Sequence, residues 1–226
     1  SSGTSGSPYS AIHEAPADFV RAEIDAVFSD LAVGAVKIGM LASPELIRTV
    51  AAGLRGYGQS RVVLDPVMVA TSGDSLLKAE AVATLREALF PLASLITPNL
   101  PEAGKLLART VGETPDDMLA AARELLSLGP KAVLIKGGHG TGAESADLYL
   151  DGEGEHWLTA PRHATRNTHG TGCTLSSAIA AGLAKGLDLA AAVAEGKAYV
   201  TAAIVAADRL EIGHGHGPVH HFHAWW

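Results

Sequence analysis

At 226 residues, 47% hydrophobic and 18% charged, the chain fits one α/β domain able to bury a sizeable core. Its net charge of −7 argues against nucleic acid or an anionic membrane as a partner, and no uninterrupted apolar window reaches the about 18 residues of a spanning helix, so none is expected. One cysteine excludes an internal disulfide framework and suits a reducing, cytoplasmic setting.

Residues 1–7, Ser-Ser-Gly-Thr-Ser-Gly-Ser, have neither the basic nor the apolar region of a signal peptide and read as a linker, a loop or an expression scar. Residues 17–31 are predicted as an amphipathic helix with Phe19, Val20, Ile24, Val27, Phe28 and Leu31 on one face. A buried strand follows over 33–38, then a helix over 44–54 with Pro44 in its first turn and Leu46, Ile47, Val50 and Leu54 inward. Strands are expected over 61–64, 93–97 and 132–135. Helices are expected over 79–90, 101–107 and 116–128, the last with Met118, Leu119, Ala122, Leu125 and Leu126 inside. Alternation around Asp151-Gly152-Glu153-Gly154 predicts a hairpin over 146–159, and two Ala-rich helices follow over 171–186 and 188–209. Strands alternating with helices imply a mainly parallel sheet covered on both faces.

Lys37, Asp65, Asn99 with Glu102, and Lys136 each fall just past the C-terminal end of a predicted strand, the edge where open parallel sheets bind ligands. Asp-Pro and Pro-Asn are also ordinary turn formers, so each hit alone is ambiguous. A stronger signal is Asn167-Thr168-His169-Gly170-Thr171-Gly172-Cys173-Thr174, which runs into an apolar helix. Glycines at a helix start let free backbone N–H groups converge, and the helix dipole adds positive potential there. Gly170, Thr171 and Gly172 therefore read as a cradle for a phosphate, with the lone cysteine inside the turn. A plain helix cap by Thr168 or Thr171 is the competing reading.

This turn resembles the Gly-Thr-Gly-Cys signature of the hydroxymethylpyrimidine/phosphomethylpyrimidine kinases of thiamine synthesis, in the ribokinase-like superfamily, where the cysteine position usually carries an aspartate. Five further segments resemble the same family, in the expected order. They are Val36-Lys37-Ile38-Gly39-Met40-Leu41, the stretch from Leu64-Asp65-Pro66-Val67 through Gly73, Thr97-Pro98-Asn99-Leu100-Pro101-Glu102-Ala103, Leu134-Ile135-Lys136-Gly137-Gly138-His139 and the tail from Gly213 to His223. The resemblance implies a three-layer α/β/α sandwich with a mainly parallel central sheet, in one domain over 1–226. It also exposes a gap. The family's opening strand and Gly-Ser-Asp-Ser-Gly-Gly-Ala-Gly-like loop, which hold much of its pyrimidine pocket, do not precede residue 17 intact, so incomplete coverage is expected.

The resemblance implies Cys173 as base toward the acceptor, with Gly170, Thr171 and Gly172 receiving the transferred phosphoryl group. A helix N-terminus favours the thiolate, although a lone cysteine is most often a small buried residue. Lys136 is expected to reach the ATP phosphates rather than sit as a solvated strand-end lysine. Asn99 and Glu102 resemble an Asn-x-x-Glu motif that organises Mg²⁺ and its waters, a spacing that equally makes a helix cap. Asp65 is expected near metal and phosphates, Thr168 and His169 beside the nucleotide, and Lys37 and Met40 on the substrate side. Five histidines crowd the tail, but Gly and Pro interrupt them, which argues against a transition-metal site.

The implied activity is phosphoryl transfer from Mg²⁺-ATP to 4-amino-5-hydroxymethyl-2-methylpyrimidine and then to its monophosphate, with no nucleic-acid or membrane partner. Family members are often dimers, which allows a homodimer. Pyridoxal as acceptor and a non-catalytic ligand-binding relative are the rivals. A Rossmann-type dinucleotide binder is a poor third reading, because no strand–Gly-x-Gly-x-x-Gly–helix unit with a distal acidic residue appears.

Overall fold

A computed structural model describes residues 13–68, 79–138 and 142–225. Residues 1–7, the 69–73 part of the Asp65 motif and His139 lie outside the described residues. Along the chain run α1 (Ala17–Asp30), β1 (Val36–Ile38), α2 (Pro44–Gly56), β2 (Val62–Leu64), α3 (Ala79–Ala88), β3 (Leu95–Ile96), α4 (Leu100–Leu107), α5 (Pro115–Leu126), β4 (Val133–Ile135), β5 (Glu144–Leu150), β6 (Glu155–Pro161), α6 (Thr171–Ala184) and α7 (Leu189–Val205). Strand order follows sequence order, β1 to β6. The first four strands are parallel, and the β5–β6 hairpin closes one side antiparallel.

Parallel strands that advance steadily in one direction send their right-handed crossovers to a single face. Accordingly, α2, α3, α4 and α5 pack on one side, against Ile38, Val62, Leu64, Ile96, Val133 and Ile135. The alternate residues Val63, Leu95, Leu134 and Tyr149 face α6 and α7. Two helical layers around a mainly parallel sheet make the expected sandwich.

The parallel strands are two or three residues long, shorter than expected. Single bonds continue the pairing beyond them, as from Ser94 N–H to Val62 O and from Thr97 N–H to Leu64 O. The hairpin turns at Asp151, whose carboxylate accepts the Glu153 and Gly154 amides.

Three expectations need correction. Phe19, Val27 and Leu31 of the predicted apolar face are exposed, and α1 has no fully buried residue. Only part of its stripe finds a partner: Ile24 lies against Gly53 of α2, and Phe28 stacks on Tyr57. In α2 and α5, Val50, Leu119 and Leu126 are only half-buried, while Ala51 and Ala121 are fully buried alongside the expected Ile47, Ala122 and Leu125. Finally, Leu189–Arg209 does have the length and composition of a membrane-crossing helix once polar interruptions are tolerated. In this fold it is a packing helix. Ala192, Val193 and Val200 are buried in the second core, and a Cβ at Gly196 would lie 2.7 Å from Ile179 Cγ1, so α6 and α7 touch closely.

Candidate active site

The register aligns the C-terminal ends of the strands. Ile38 stands level with Leu64, and Leu64 with Ile96. The next residues, Asp65 and Thr97, therefore emerge side by side. A bridge between Asn99 and Lys136 carries the alignment onto β4.

Lys136 Nζ lies 2.9 Å from Asp65 Oδ1 and 3.8 Å from Glu102 Oε2. All three are withdrawn from solvent, with side-chain exposures of 14%, 1% and 4%. Asp65 also accepts hydrogen bonds from Thr97 Oγ1 at 3.0 Å and Ser176 Oγ at 3.3 Å. Lys136 is thus no solvated strand-end lysine. Burial pulls its pKa down, but the charges of Asp65 and Glu102 outweigh this and hold it above the usual lysine value. Burial, helped by the charge of Asp65, holds Glu102 above the usual glutamate range against the pull of Lys136 and the Asn99 amide.

Asn99 and Glu102 also form a complete capping box on α4. Asn99 Oδ1 accepts the Glu102 amide at 2.8 Å, and Glu102 Oε2 accepts the Asn99 amide at 2.8 Å. Capping and site readings therefore coincide at these residues. The cap fixes the glutamate that faces Lys136.

Across from this cluster stands the start of α6. Its cap residue is Gly170, in the left-handed region at φ 80°, with no side-chain capping bond. The predicted Thr168 or Thr171 cap does not form, since Thr171 Oγ1 donates instead to Thr168 O at 2.7 Å. Thr171 N–H also turns to Thr168 O, at 3.3 Å, so the cradle narrows to the following amides. The first intrahelical bond runs from Thr174 N–H to Gly170 O, and the Gly172 and Cys173 amides precede it without an intrahelical acceptor. A Cβ on Gly172 would stand 3.2 Å from Lys136 Nζ, so the lysine head and the amide turn face one another. Cys173 is free and exposed, contrary to the usual burial of a lone cysteine. A groove of about 570 Å³ opens at this turn and runs between α6 and α7, lined in part by Gly170, Cys173, Ser177, Glu195, Tyr199 and His221.

Several positioning residues were not anticipated. Ser176 Oγ lies within 3.3 Å of Asp65 Oδ2, 3.0 Å of Gly172 O and 3.1 Å of Cys173 O, tying the helix start to the carboxylate. The tail supports the turn from outside. His169 N–H donates to Gly217 O, Gly217 N–H donates to Asn167 Oδ1, and His221 Nε2 lies 3.0 Å from Thr174 Oγ1. His216 Nδ1 is 3.1 Å from Arg166 O. Two of the tail histidines are therefore engaged in holding the turn. Among the described residues no group of His, Cys, Asp and Glu has the makings of a metal site of its own.

Thr168 and His169 hold the turn through their backbone: Thr168 O accepts from Thr171, and His169 N–H donates to Gly217 O. Lys37 is the middle residue of β1, paired with Val63, and not past the strand's end as expected, while Met40 lies two residues beyond the strand; no hydrogen bond or ion pair among the described residues joins either to the charged cluster. A Cβ at Gly39 would come within 2.8 Å of Lys37 Nζ.

The family model of phosphomethylpyrimidine kinase matches residues 5–220. The chain is 56% identical over 216 residues to the hydroxymethylpyrimidine/phosphomethylpyrimidine kinase of Rhizobium meliloti, covering 96% of this chain and 81% of that relative. Among solved structures, the ADP complex of Bacillus subtilis pyridoxal kinase superposes with a TM-score of 0.85 at 34% identity, over 94% of this chain and 78% of the other. Phosphomethylpyrimidine kinase from Clostridium difficile superposes with a TM-score of 0.74 at 40% identity, over 86% and 79%.

Proposed function

The chain belongs to the phosphomethylpyrimidine kinase family, and from that premise we propose that it transfers the γ-phosphoryl group of ATP to 4-amino-5-hydroxymethyl-2-methylpyrimidine and then to the resulting monophosphate, as a step in making thiamine. The observation that carries this reading is the opposition of two phosphate-binding devices. A buried lysine head, Lys136, faces the open amides of the Gly170-Thr171-Gly172 turn across a space that would be filled by one Cβ.

Phosphoryl transfer asks a protein mainly for alignment and charge stabilisation. Lys136 is fixed by Asp65 and supplies a point charge to the nucleotide phosphates. The Gly172 and Cys173 amides receive charge that develops on the equatorial oxygens. Cys173 Sγ, exposed at the mouth of the turn, acts as its thiolate and accepts the proton of the substrate hydroxymethyl group as that oxygen bonds to the γ-phosphorus and the bond to the departing ADP oxygen breaks. Thr168 and His169 border the nucleotide phosphates. Asn99 has committed its carbonyl oxygen to the cap, which leaves its amide NH₂ to face the nucleotide. Lys37 and Met40 face the acceptor.

Mg²⁺ fits the charges of this site. Two buried carboxylates, Asp65 and Glu102, share one buried cation, so the cluster carries a surplus negative charge whenever Glu102 is ionised. These two residues would hold the ion, directly or through its waters. When bound, Mg²⁺ would neutralise the nucleotide phosphates. The partners we infer are ATP and a small pyrimidine, with no role for nucleic acid or membrane, in a cytoplasmic protein that can pair as a homodimer.

One observation favours a second reading. The backbone superposes more tightly on a pyridoxal kinase than on the phosphomethylpyrimidine kinase, although sequence identity runs the other way. Product identification by mass spectrometry separates the two. Incubation with Mg-ATP should yield mono- and diphosphorylated hydroxymethylpyrimidine. Phosphorylated pyridoxal alone would keep the mechanism and replace the acceptor. Nucleotide binding without any product would revive the non-catalytic reading.

A further inference from the structure

The hairpin hides a second buried lysine–aspartate pair that none of the catalytic roles above uses. Lys197 Nζ on α7 lies 2.7 Å from Asp147 Oδ2 on β5, with side-chain exposures of 13% and 5%. Lys197 Nζ also lies 3.4 Å from Ser145 Oγ. The other oxygen, Asp147 Oδ1, accepts the backbone N–H of Gly137 at 2.9 Å. Gly137 directly follows Lys136. The backbone at this point is pressed onto the hairpin, because a Cβ at Gly137 would collide with Ala146 O.

We propose that Asp147 is a positioning residue for phosphate binding: by accepting the Gly137 amide it fixes the backbone that carries Lys136 toward the α6 turn, with Lys197 as its buried counter-ion. The inference rests on the kinase reading. A buried ion pair is a poor device for stability alone, since an apolar pair of similar volume is often as stable or more so. What the apolar pair lacks is the acceptor for Gly137 N–H, and that acceptor is the feature linked to Lys136. Asp147 touches neither nucleotide nor acceptor in this role. It acts through one amide and its neighbour.

Two charge-neutral double variants isolate that amide bond. Asp147→Asn with Lys197→Met removes both charges and keeps a side-chain oxygen for Gly137 N–H. Asp147→Leu with Lys197→Met keeps the packing and removes the oxygen. The KM for ATP should stay within about twofold of wild type in the first and rise about tenfold in the second, an effect the size of one lost hydrogen bond to a charged or buried partner. The KM for the pyrimidine should be unchanged in both, a split that general loosening of the fold would not produce. ADP affinity measured by calorimetry should follow the same pattern without relying on turnover. Equal ATP KM and ADP affinity in the two variants would overturn the proposal, as would a fall in pyrimidine and nucleotide binding together. Should either pair fold poorly, Asp147→Asn and Asp147→Ala alone, compared by ADP titration at a temperature below both melting points, must show the same ordering. A wild-type protein that binds no ADP would count against the kinase reading itself, whereas wild-type binding with no difference between the variants removes only the role of Asp147.

Discussion

Two buried lysine–aspartate pairs stand on this scaffold, and they are built on different charge balances. Lys197 and Asp147 match one to one, and the carboxylate oxygens are both occupied, by the lysine and by the Gly137 amide. Lys136 and Asp65 stand at the open edge of the sheet with a second carboxylate, Glu102, beside them. The balanced pair satisfies itself, while the unbalanced one leaves a surplus negative charge next to a helix N-terminus that favours anions. Burying a surplus charge is costly unless something neutralises it, either the proton that burial favours on Glu102 or a cation that arrives with the ligand and displaces that proton. Charge balance alone thus distinguishes the Lys197–Asp147 strut from the Lys136–Asp65–Glu102 site.

Removing Lys136 should give the largest effect. Lys136→Ala deletes the cation on which both carboxylates rely and the head that faces the amide turn. Turnover should fall by about 10²–10³, the loss typical of one preorganised electrostatic contact in the transition state. The melting temperature should fall too, since leaving buried carboxylates unpaired costs about 3–5 kcal/mol. Steady-state kinetics beside a thermal melt checks both, and a variant with wild-type kcat/KM would return Lys136 to a structural role.

Cys173→Ala touches only the open side of the comparison. The thiol is exposed and has little packing to lose, so stability should hold while kcat drops by about 10²-fold, at the low end for loss of a general base. ADP affinity should be unchanged. Unchanged turnover in a folded variant would end the role of the thiol as base and leave transfer to positioning and charge alone.

These contrasts were unevenly legible in the sequence. The amide turn could be read because its parts are contiguous: two glycines, a cysteine and the start of an apolar helix. Asp65 and Lys136 could be read as strand-end residues because each closes a short apolar run, and Asn99 with Glu102 because they follow another across a Pro-containing turn. Their union could not, since Lys136 and Asp65 are 71 positions apart and only the parallel register brings them level. Asp147 and Lys197 escaped notice because an aspartate in a hairpin and a lysine on a helix are ordinary surface choices. The one available signal was that Lys197 is the sole cation within the apolar stretch Leu189–Val205. The apolar face of α1 misled for the opposite reason: periodicity reports which residues share a face and says nothing about whether another element covers it.

Glu102 offers a gentler test of the surplus charge. Its folded pKa is raised, chiefly by burial, so the native protein keeps a proton that the unfolded chain has already released. Stability should therefore fall as pH rises from the ordinary glutamate range through the raised value, where Glu102 ionises in the fold. Lys136 carries the opposite sign. Its pKa is raised by its two carboxylates, so its contribution is whole below the ordinary lysine range and is lost as pH climbs through the folded value. A Mg²⁺ ion held by Glu102 would need the ionised carboxylate, so its stabilising effect should grow as Glu102 loses its proton. Thermal melts with and without Mg²⁺ across this window should show a gain of about 2–4 °C for each kcal/mol of binding, flattened in Glu102→Gln. A pH-independent gain in the wild type would remove Glu102 from the ion site.

The smallest effect belongs to the tail. Tyr199 OH donates to His221 O at 2.7 Å, and His221 in turn reaches Thr174 beside the amide turn. Like the Lys197 pair, this is a closed contact with no charge left over. Tyr199→Phe keeps the ring and deletes one neutral bond at an exposed site, so stability should drop by about 0.5–1.5 kcal/mol. Turnover should stay within about twofold, because the Asn167–Gly217 and His169–Gly217 bonds still hold the turn. A tenfold loss of kcat with little change in melting temperature would contradict this ranking: it would mean that the amide turn depends on the tail for its alignment, and that the division between strut and site runs through His221 rather than between the two lysine pairs.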